Sequence, residues 1–405
     1  MKIHPARQAW MVRPATVKLM AALGQARFVG GAVRNALLNR PAEDIDIAVP
    51  MLPEEVILRL GKAAIKFVPT GLDHGTVTAI VDGQPFEVTS LRRDVKTDGR
   101  RAVVSYTANW QEDSARRDFT MNALYASPEG EIFDYHGGVE DLLAGRVRFV
   151  GDPAQRIKED YLRILRLFRF HAWYGRGEMD GYALRAAAAA KSGLNKLSGE
   201  RIAKELLRLL ASPNPIPALR MMAASGLLSE LLPHPLELAR LEQLVAIDAE
   251  NTFPSDALLR LGALLPGAND VAARVGERLK LSAAERARLQ GMARMESDVT
   301  PLSAGGVRQS LYRLGPGPFR DSIFLRWAKG PRDHFPWRML LSIADGWERP
   351  RFPLTGRDVI EQGVREGPEV GRVLEQLENW WLEQDFVPDQ PALMDKLKSL
   401  LGPKS

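Results

Sequence analysis

The sequence predicts an α+β fold in two successive parts, a mixed-sheet head followed by an all-helical remainder. Three observations carry this expectation. Segments with period-two alternation or hairpin turns lie within residues 28–135. From Asp152 onward the apolar residues recur at the helical period instead. Proline and glycine breakers then divide the helical part, at Gly315-Pro316-Gly317-Pro318 and at Arg349-Pro350-Arg351-Phe352-Pro353. At 405 residues the chain exceeds a usual single domain, so two to four structural units are the natural division.

In the head, Phe28-Val29 reads as a strand end, and Gly30-Gly31 opens a helical run from Ala32 to Leu38. Asp44-Ile45-Asp46-Ile47-Ala48-Val49 alternates as a strand with one polar face. A helix from Pro53 to Ala64 follows, then strands Thr76–Val81 and Pro85–Ser90 joined at Asp82-Gly83-Gln84. A further hairpin spans Ala123 to Tyr135 around Pro128-Glu129-Gly130. Beyond it, Ile157, Tyr161, Ile164, Leu165 and Phe168 form an apolar stripe at i, i+4, i+7, i+8, i+11. Helical patterns continue at Arg201–Leu210, Ala218–Leu232 and Leu258–Leu264, with a final helix pair within Gly356–Leu401.

Apolar residues make up 45% and charged residues 26%, an ordinary globular composition. The absence of cysteine excludes a disulfide framework and thiolate metal sites and fits a reducing compartment. The N-terminal residues lack a signal-peptide apolar run, and no apolar stretch approaches the roughly 20 residues that cross a bilayer. A cytoplasmic protein without a membrane partner is the expectation. The formal net charge is +5, and the pI of about 9.4 comes with arginines crowded in Arg156–Arg169 and Arg308–Arg351. Such crowding suits either a polyanionic partner or solvated helix faces.

Residues two apart on a strand share a face at roughly 6.5–7 Å, so Asp44 and Asp46 present two carboxylates side by side. Like charges at that range raise each other's pKa. Two Mg²⁺ ions about 4 Å apart would neutralise them and serve both ends of an in-line phosphoryl displacement. An Asp-x-Asp alone is an ordinary strand end. The preceding turn adds information: Gly30-Gly31 lets bare backbone approach a ligand where a helix N-terminus favours phosphate. Arg34 lies one turn in, placed to fork a triphosphate oxygen pair.

Gly30-Gly31-Ala32-Val33-Arg34 followed by Asp44-Ile45-Asp46 resembles the signature of class II CCA-adding enzymes of bacterial type. These belong to the tRNA nucleotidyltransferase and poly(A) polymerase family, a branch of the polymerase β superfamily. The resemblance implies a polymerase-β-like nucleotidyltransferase head with a mixed sheet, then an all-helical neck, body and tail. It makes Asp44 and Asp46 the catalytic metal ligands. One departure is Asn35, where the family usually has aspartate. Glu87, outward on its strand beside Thr89, is either an extra carboxylate near the site or an exposed strand residue.

Ala115-Arg116-Arg117-Asp118-Phe119-Thr120-Met121-Asn122-Ala123-Leu124 resembles the family's second motif. Read as a helix, it places Asp118 and Asn122 four apart, both facing one ligand and suited to ribose hydroxyls. Arg117 would meet phosphate or orient Asp118. Glu159-Asp160-Tyr161-Leu162-Arg163 matches the family's base-reading motif. Ionised Asp accepts and Arg donates, so Asp160 can take the exocyclic amine of cytosine or adenine while Arg163 serves the ring nitrogen. Uracil and guanine mismatch both contacts, and such sites reject mismatched partners strongly. Arg166 and Arg169 follow at three-residue steps and would contact phosphates or steady the motif.

Within Arg92–Asp113, the stretch around Asp98-Gly99-Arg100-Arg101 corresponds to a flexible loop that the family needs to switch from C to A addition. It is full length, as complete CCA addition requires. Leu197–Ile202 resembles the next neck motif, and Thr355–Ile360 with Gly367–Gly371 resembles the family's C-terminal segment. The expected division is a catalytic head at 1–138, a base-recognising neck at 139–212, and a tRNA-binding body at 213–348 and tail at 349–405. The implied substrates are CTP, ATP and the tRNA 3′ end, with tRNA phosphates met by residues such as Arg313, Arg320 and Arg326. The rival readings are a poly(A) polymerase, or a catalytically inactive RNA-binding protein on the same scaffold.

Overall fold

The computed structural model describes residues 2–42, 44–69, 71–72, 75–98, 101–295, 303–330 and 333–402. They form two compact units, Met1–His234 and Pro235–Ser405.

The first unit holds nine strands: β1 (Arg27–Val29), β2 (Asp46–Val49), β3 (Lys66–Val68), β4 (Thr76–Val81), β5 (Gln84–Ser90), β6 (Arg92–Asp98), β7 (Arg101–Tyr106), β8 (Leu124–Ala126) and β9 (Ile132–Asp134). Seven of them make a sheet in the order β3-β4-β5-β2-β1-β8-β9, mixed because β2 and β5 run parallel while the other neighbours are antiparallel. The Asp82-Gly83 turn joins β4 to β5 with φ of 51° and 76°. Positive values at both central residues give the turn whose twist matches the strands it joins. Ile47, Ala48 and Val49 are all buried, so β2 is covered on both faces.

This register builds the site. Asp46 lies opposite Val29, the last residue of β1, and on its other side opposite Glu87 of β5. The Gly30 turn therefore leaves the sheet next to Asp46. The strand starts at Asp46, two residues later than the alternation predicts, and Asp44 stands exposed in the bend before it. The stretch expected as a loop between Arg92 and Asp113 forms the separate hairpin β6-β7, whose connecting Gly99 and Arg100 lie outside the described residues.

The helical stripe from Ile157 to Phe168 divides into two helices, Pro153–Glu159 and Leu162–Tyr174. Asp160 between them is extended, with φ −154° and ψ 109°. Its Oδ1 accepts the Leu162 N–H at 3.1 Å, a local bond that competes with the helical ladder. Tyr161 keeps its place in the apolar stripe by lying over Gly193, where an added Cβ would meet its ring at 2.1 Å. Leu162–Tyr174 packs in turn against the helix Gly199–Leu210.

The run expected from Ala218 to Leu232 is likewise two helices, Ile216–Ala224 and Leu227–Leu231, parted by Gly226 at φ 71°. In the second unit the breakers act as predicted. Gly315 at φ 79° ends the helix Ala304–Leu314, and Pro316 opens the next one, Pro316–Trp327. The final segment holds three helices rather than two: Gly356–Glu361, Pro368–Glu383 and Gln390–Leu401. Tyr312, Val359, Leu377, Trp381, Leu393 and Leu397 form their shared core. Among the described residues, no helix is long and apolar enough to cross a membrane.

Candidate active site

An open cleft of about 550 Å³ in the first unit gathers Gly30, Gly31, Arg34, Asp46, Arg117, Asp118, Asn122, Asp160, Arg163, Arg166 and Arg169. Of the head and neck residues expected to bind metal or nucleotide, Asp44 and Glu87 do not line it. Leu162, Phe170, Arg201 and Arg208 complete the lining. Seven arginines thus face three aspartates, a strongly cationic cavity.

The metal-binding side of the cleft rests on the sheet. Burial pushes the Asp46 carboxyl above its ordinary range, and the neighbouring Glu87 and Asp44 push it further while Arg117 opposes them. Crowded carboxylates of this kind are what a divalent cation relieves. Among the described residues, no three His, Asp or Glu side chains form a complete cage for a metal ion. Mg²⁺ is usually held by one or two carboxylates together with substrate phosphates. Asp44 and Asp46 would hold the ion, with Glu87 on the adjacent strand.

Gly30 takes φ 68°, a conformation that glycine adopts without strain. A Cβ there would point toward the Asn122 carbonyl and Arg117 Nη1. Arg34 on the helix Gly31–Leu37 is 8% exposed, deeper than a freely reaching phosphate ligand. It donates to Asn122 Oδ1 at 2.5 Å and to Asn35 Oδ1 at 3.0 Å. Its guanidinium also lies 4.3 Å from the Tyr174 ring. Burial lowers its pKa. Asn35, the departure from the family pattern, therefore acts as a neutral acceptor for Arg34.

Asp118 and Asn122 do meet, with Asn122 Nδ2 donating to Asp118 Oδ1 at 3.0 Å. They do so from a loop and the short 3-10 turn Thr120–Asn122, not from one α-helix. The other Asp118 oxygen accepts Arg166 Nε at 2.7 Å. Arg117, expected on phosphate or on Asp118, binds Asp113 Oδ2 at 3.0 Å and Tyr125 Oη at 3.2 Å and lines the cleft beside Asp118. Arg166 and Arg169 both reach Glu205, a buried residue of the Gly199–Leu210 helix.

Asp160 and Arg163 are also not neighbours on one helix. Asp160 Oδ2 accepts Arg201 Nη2 at 2.7 Å. Arg163 holds Glu159 Oε2 at 2.5 Å and the carbonyls of Arg156 and Arg116 at 2.9 and 3.2 Å. The residues that sequence reasoning missed are the partners Asp113, Tyr125, Glu205 and Arg201, and the lining residue Arg208. Arg201, Glu205 and Arg208 recur at i, i+4, i+7, a spacing that marks one helix face and could have flagged the last two.

In the second unit, Arg320 pairs with Asp345 and Arg313 donates to Asn379 Oδ1 at 3.1 Å. Both of these expected tRNA contacts therefore have partners within the protein.

Burial would raise the Asp118 carboxyl, but Arg166, Asn122 and the Phe119 N–H outweigh it and hold it at about 2. A depressed folded pKa contributes stability that is complete above the unfolded value near 4 and is lost as pH falls through about 2. Asp118→Asn should therefore cost about 2 kcal/mol at neutral pH, with the gap to the parent closing between pH ~4 and ~2. Urea unfolding across that range checks it; a gap independent of pH would refute the ion-pair origin.

A glycine turn among arginines, beside crowded carboxylates, is the lining expected of a nucleotidyltransferase. Residues 26–148 match the family model described as the poly A polymerase head domain. Residues 180–237 match the model described as the probable RNA and SrmB-binding site of polymerase A. The CCA tRNA nucleotidyltransferase 1, mitochondrial, of Mus musculus is 33% identical over 383 residues, spanning 92% of this chain and 86% of that protein. The CCA-adding enzyme of Streptococcus thermophilus (strain CNRZ 1066) is 30% identical over 394 residues, 94% of each chain. The crystal structure of the Bacillus stearothermophilus CCA-adding enzyme in complex with CTP is similar at a TM-score of 0.76 and 25% identity, covering 96% of this chain and 98% of that one. The chain belongs to the CCA-adding enzymes, the CCA tRNA nucleotidyltransferases. Members of this family are in general dependent on divalent metal.

Proposed function

We propose that this enzyme adds C, C and A to the 3′ end of tRNA from CTP and ATP, selecting each base with protein side chains rather than a template. The carrying observation is the cleft itself, which brings the Gly30-Gly31 turn and Asp46 into one cavity with Asp160 and Arg163. The triphosphate lies along the glycine turn and the arginines. Asp118 and Asn122 take the ribose hydroxyls. Asp160 accepts the exocyclic amine shared by cytosine and adenine, and Arg163 donates to the ring nitrogen beside it.

Asp44 and Asp46 would hold Mg²⁺, two ions in our reading, which would supply Lewis-acid activation of the tRNA 3′ hydroxyl and neutralisation of the pyrophosphate charge. The chain's own part is orientation and charge. Arg117 and the Gly31 end of its helix face the phosphates, while Arg166 and Arg169, braced by Glu205, hold the wall opposite the base. We assign catalysis to the head at 1–138 and base recognition to the neck at 139–212. The body at 213–348 and tail at 349–405 are assigned to gripping tRNA, largely through its phosphates.

The test is to incubate the protein with tRNA lacking its last three nucleotides, Mg²⁺, and CTP, ATP or both, and to sequence the ends. Products should stop at CCA, and EDTA should abolish them. An adenosine ladder would make the enzyme a poly(A) polymerase, and a halt at CC a partial-adding one. No incorporation under any condition would leave an inactive RNA-binding scaffold.

A further inference from the structure

Arg117 carries a buried brace that the mechanism above does not use. Its side chain is 20% exposed, yet the Asp113 carboxylate it binds is 1% exposed, and Tyr125 is fully buried. The three close a triangle: Arg117 Nη2 to Asp113 Oδ2 at 3.0 Å, Arg117 Nε to Tyr125 Oη at 3.2 Å, and Tyr125 Oη donating to Asp113 Oδ2 at 2.7 Å. The other Asp113 oxygen is held by Arg116 Nε and Nη2 at 2.9 and 2.7 Å and by the Arg92 N–H at 3.1 Å. The Trp110 ring meets Tyr125 edge-on, with centroids 5.2 Å apart.

A guanidinium has five N–H donors in a rigid plane. The brace engages Nε and Nη2, which fixes the plane and leaves Nη1 to point elsewhere. Nη1 lies 3.8 Å from where a Gly30 Cβ would stand, and Arg117 lines the same cleft as Gly30 and Asp46. Two donors of one residue thus face the protein's interior and a third faces the phosphate turn.

From this geometry we infer that Tyr125 and Asp113 are positioning residues for nucleotidyl transfer. They hold Arg117 so that Nη1 meets the triphosphate beside the Gly30 turn, whichever base is being added. The inference rests on the proposed function and deepens it. Because the brace addresses phosphate and not base, it acts on CTP and ATP alike.

Steady-state kinetics of Tyr125→Phe, with CTP on tRNA lacking CCA and with ATP on tRNA ending in CC, test this. KM for both nucleotides should rise in parallel by about tenfold, because a guanidinium held by Asp113 alone no longer keeps its third donor in place against the phosphate oxygen. The preference for CTP over UTP should stay at the parent value. Asp113→Asn, which keeps the shape and loses the charge, should move both KM values further the same way. A lowered melting temperature with parent KM and kcat in both variants would show a merely structural brace and overturn the inference. So would a change confined to one nucleotide. If the parent enzyme itself fails to extend tRNA, the functional reading has failed instead, so the two failures are distinguishable.

Discussion

Asp46→Ala should lower nucleotide incorporation by at least about a thousandfold, since a catalytic metal stabilises several kcal/mol of transition-state charge and each 1.4 kcal/mol is tenfold in rate. The carboxyl is half-buried between β1 and β5, and burial and Glu87 both disfavour its charge in the isolated protein. That arrangement is costly unless a cation compensates it. Alanine removes the like-charge crowding as well as the ligand, so the fold should tolerate the change and the variant should melt no lower than the parent. Single-turnover transfer of labelled CTP to tRNA lacking CCA is the measurement. A rate within tenfold of the parent would remove Asp46 from the catalytic centre.

The second large effect concerns choice of base. Asp160→Ala should reduce the preference for CTP over UTP by about a hundredfold, a part of what a site built on hydrogen bonds can discriminate. The structure adds a reason. Arg201, which donates to Asp160 Oδ2, is left without that acceptor and can donate to the uracil carbonyl that the aspartate repels. Arg163→Ala should relax selection too, but it also strips contacts from Glu159 and from the carbonyls of Arg156 and Arg116. A lower melting temperature is expected for both variants, since Asp160→Ala also removes the acceptor of the Leu162 N–H and of Arg201. The ratio of kcat/KM for the two nucleotides decides the matter, and an unchanged ratio in Asp160→Ala would end the base-reading assignment.

Much of this was legible in the sequence because the relevant signals are local. The Gly30-Gly31 turn, the Asp82-Gly83 hairpin and the Gly315-Pro316 break are set by backbone preferences of one or two residues. The apolar stripe of the neck was visible for the same reason. Its interruption at Asp160 was not, because Tyr161 preserves the helical spacing while the Asp160 side chain takes the Leu162 N–H. The partners of the cleft residues were the larger omission. Glu205 and Arg201 act across 36 and 41 residues, and no spacing rule links a residue on one helix to its partner on another, whereas the i, i+4 pair of Asp113 with Arg117 was open to a local reading. The α-helix expected to carry Asp118 and Asn122 failed by tertiary override: Asp118 turns back to cap the Phe119 N–H and anchors Arg166.

The two carboxylates of the Asp44-Ile45-Asp46 segment stand on unequal footing. Asp46 begins a strand paired on both sides, so its backbone is held by the sheet. Asp44 sits in the exposed bend before that strand, outside the ladder. In the proposed mechanism one carboxylate is thus anchored by the sheet on both sides, and the other is held by the chain alone. A single strand start thus sets two carboxylates of unequal freedom two residues apart.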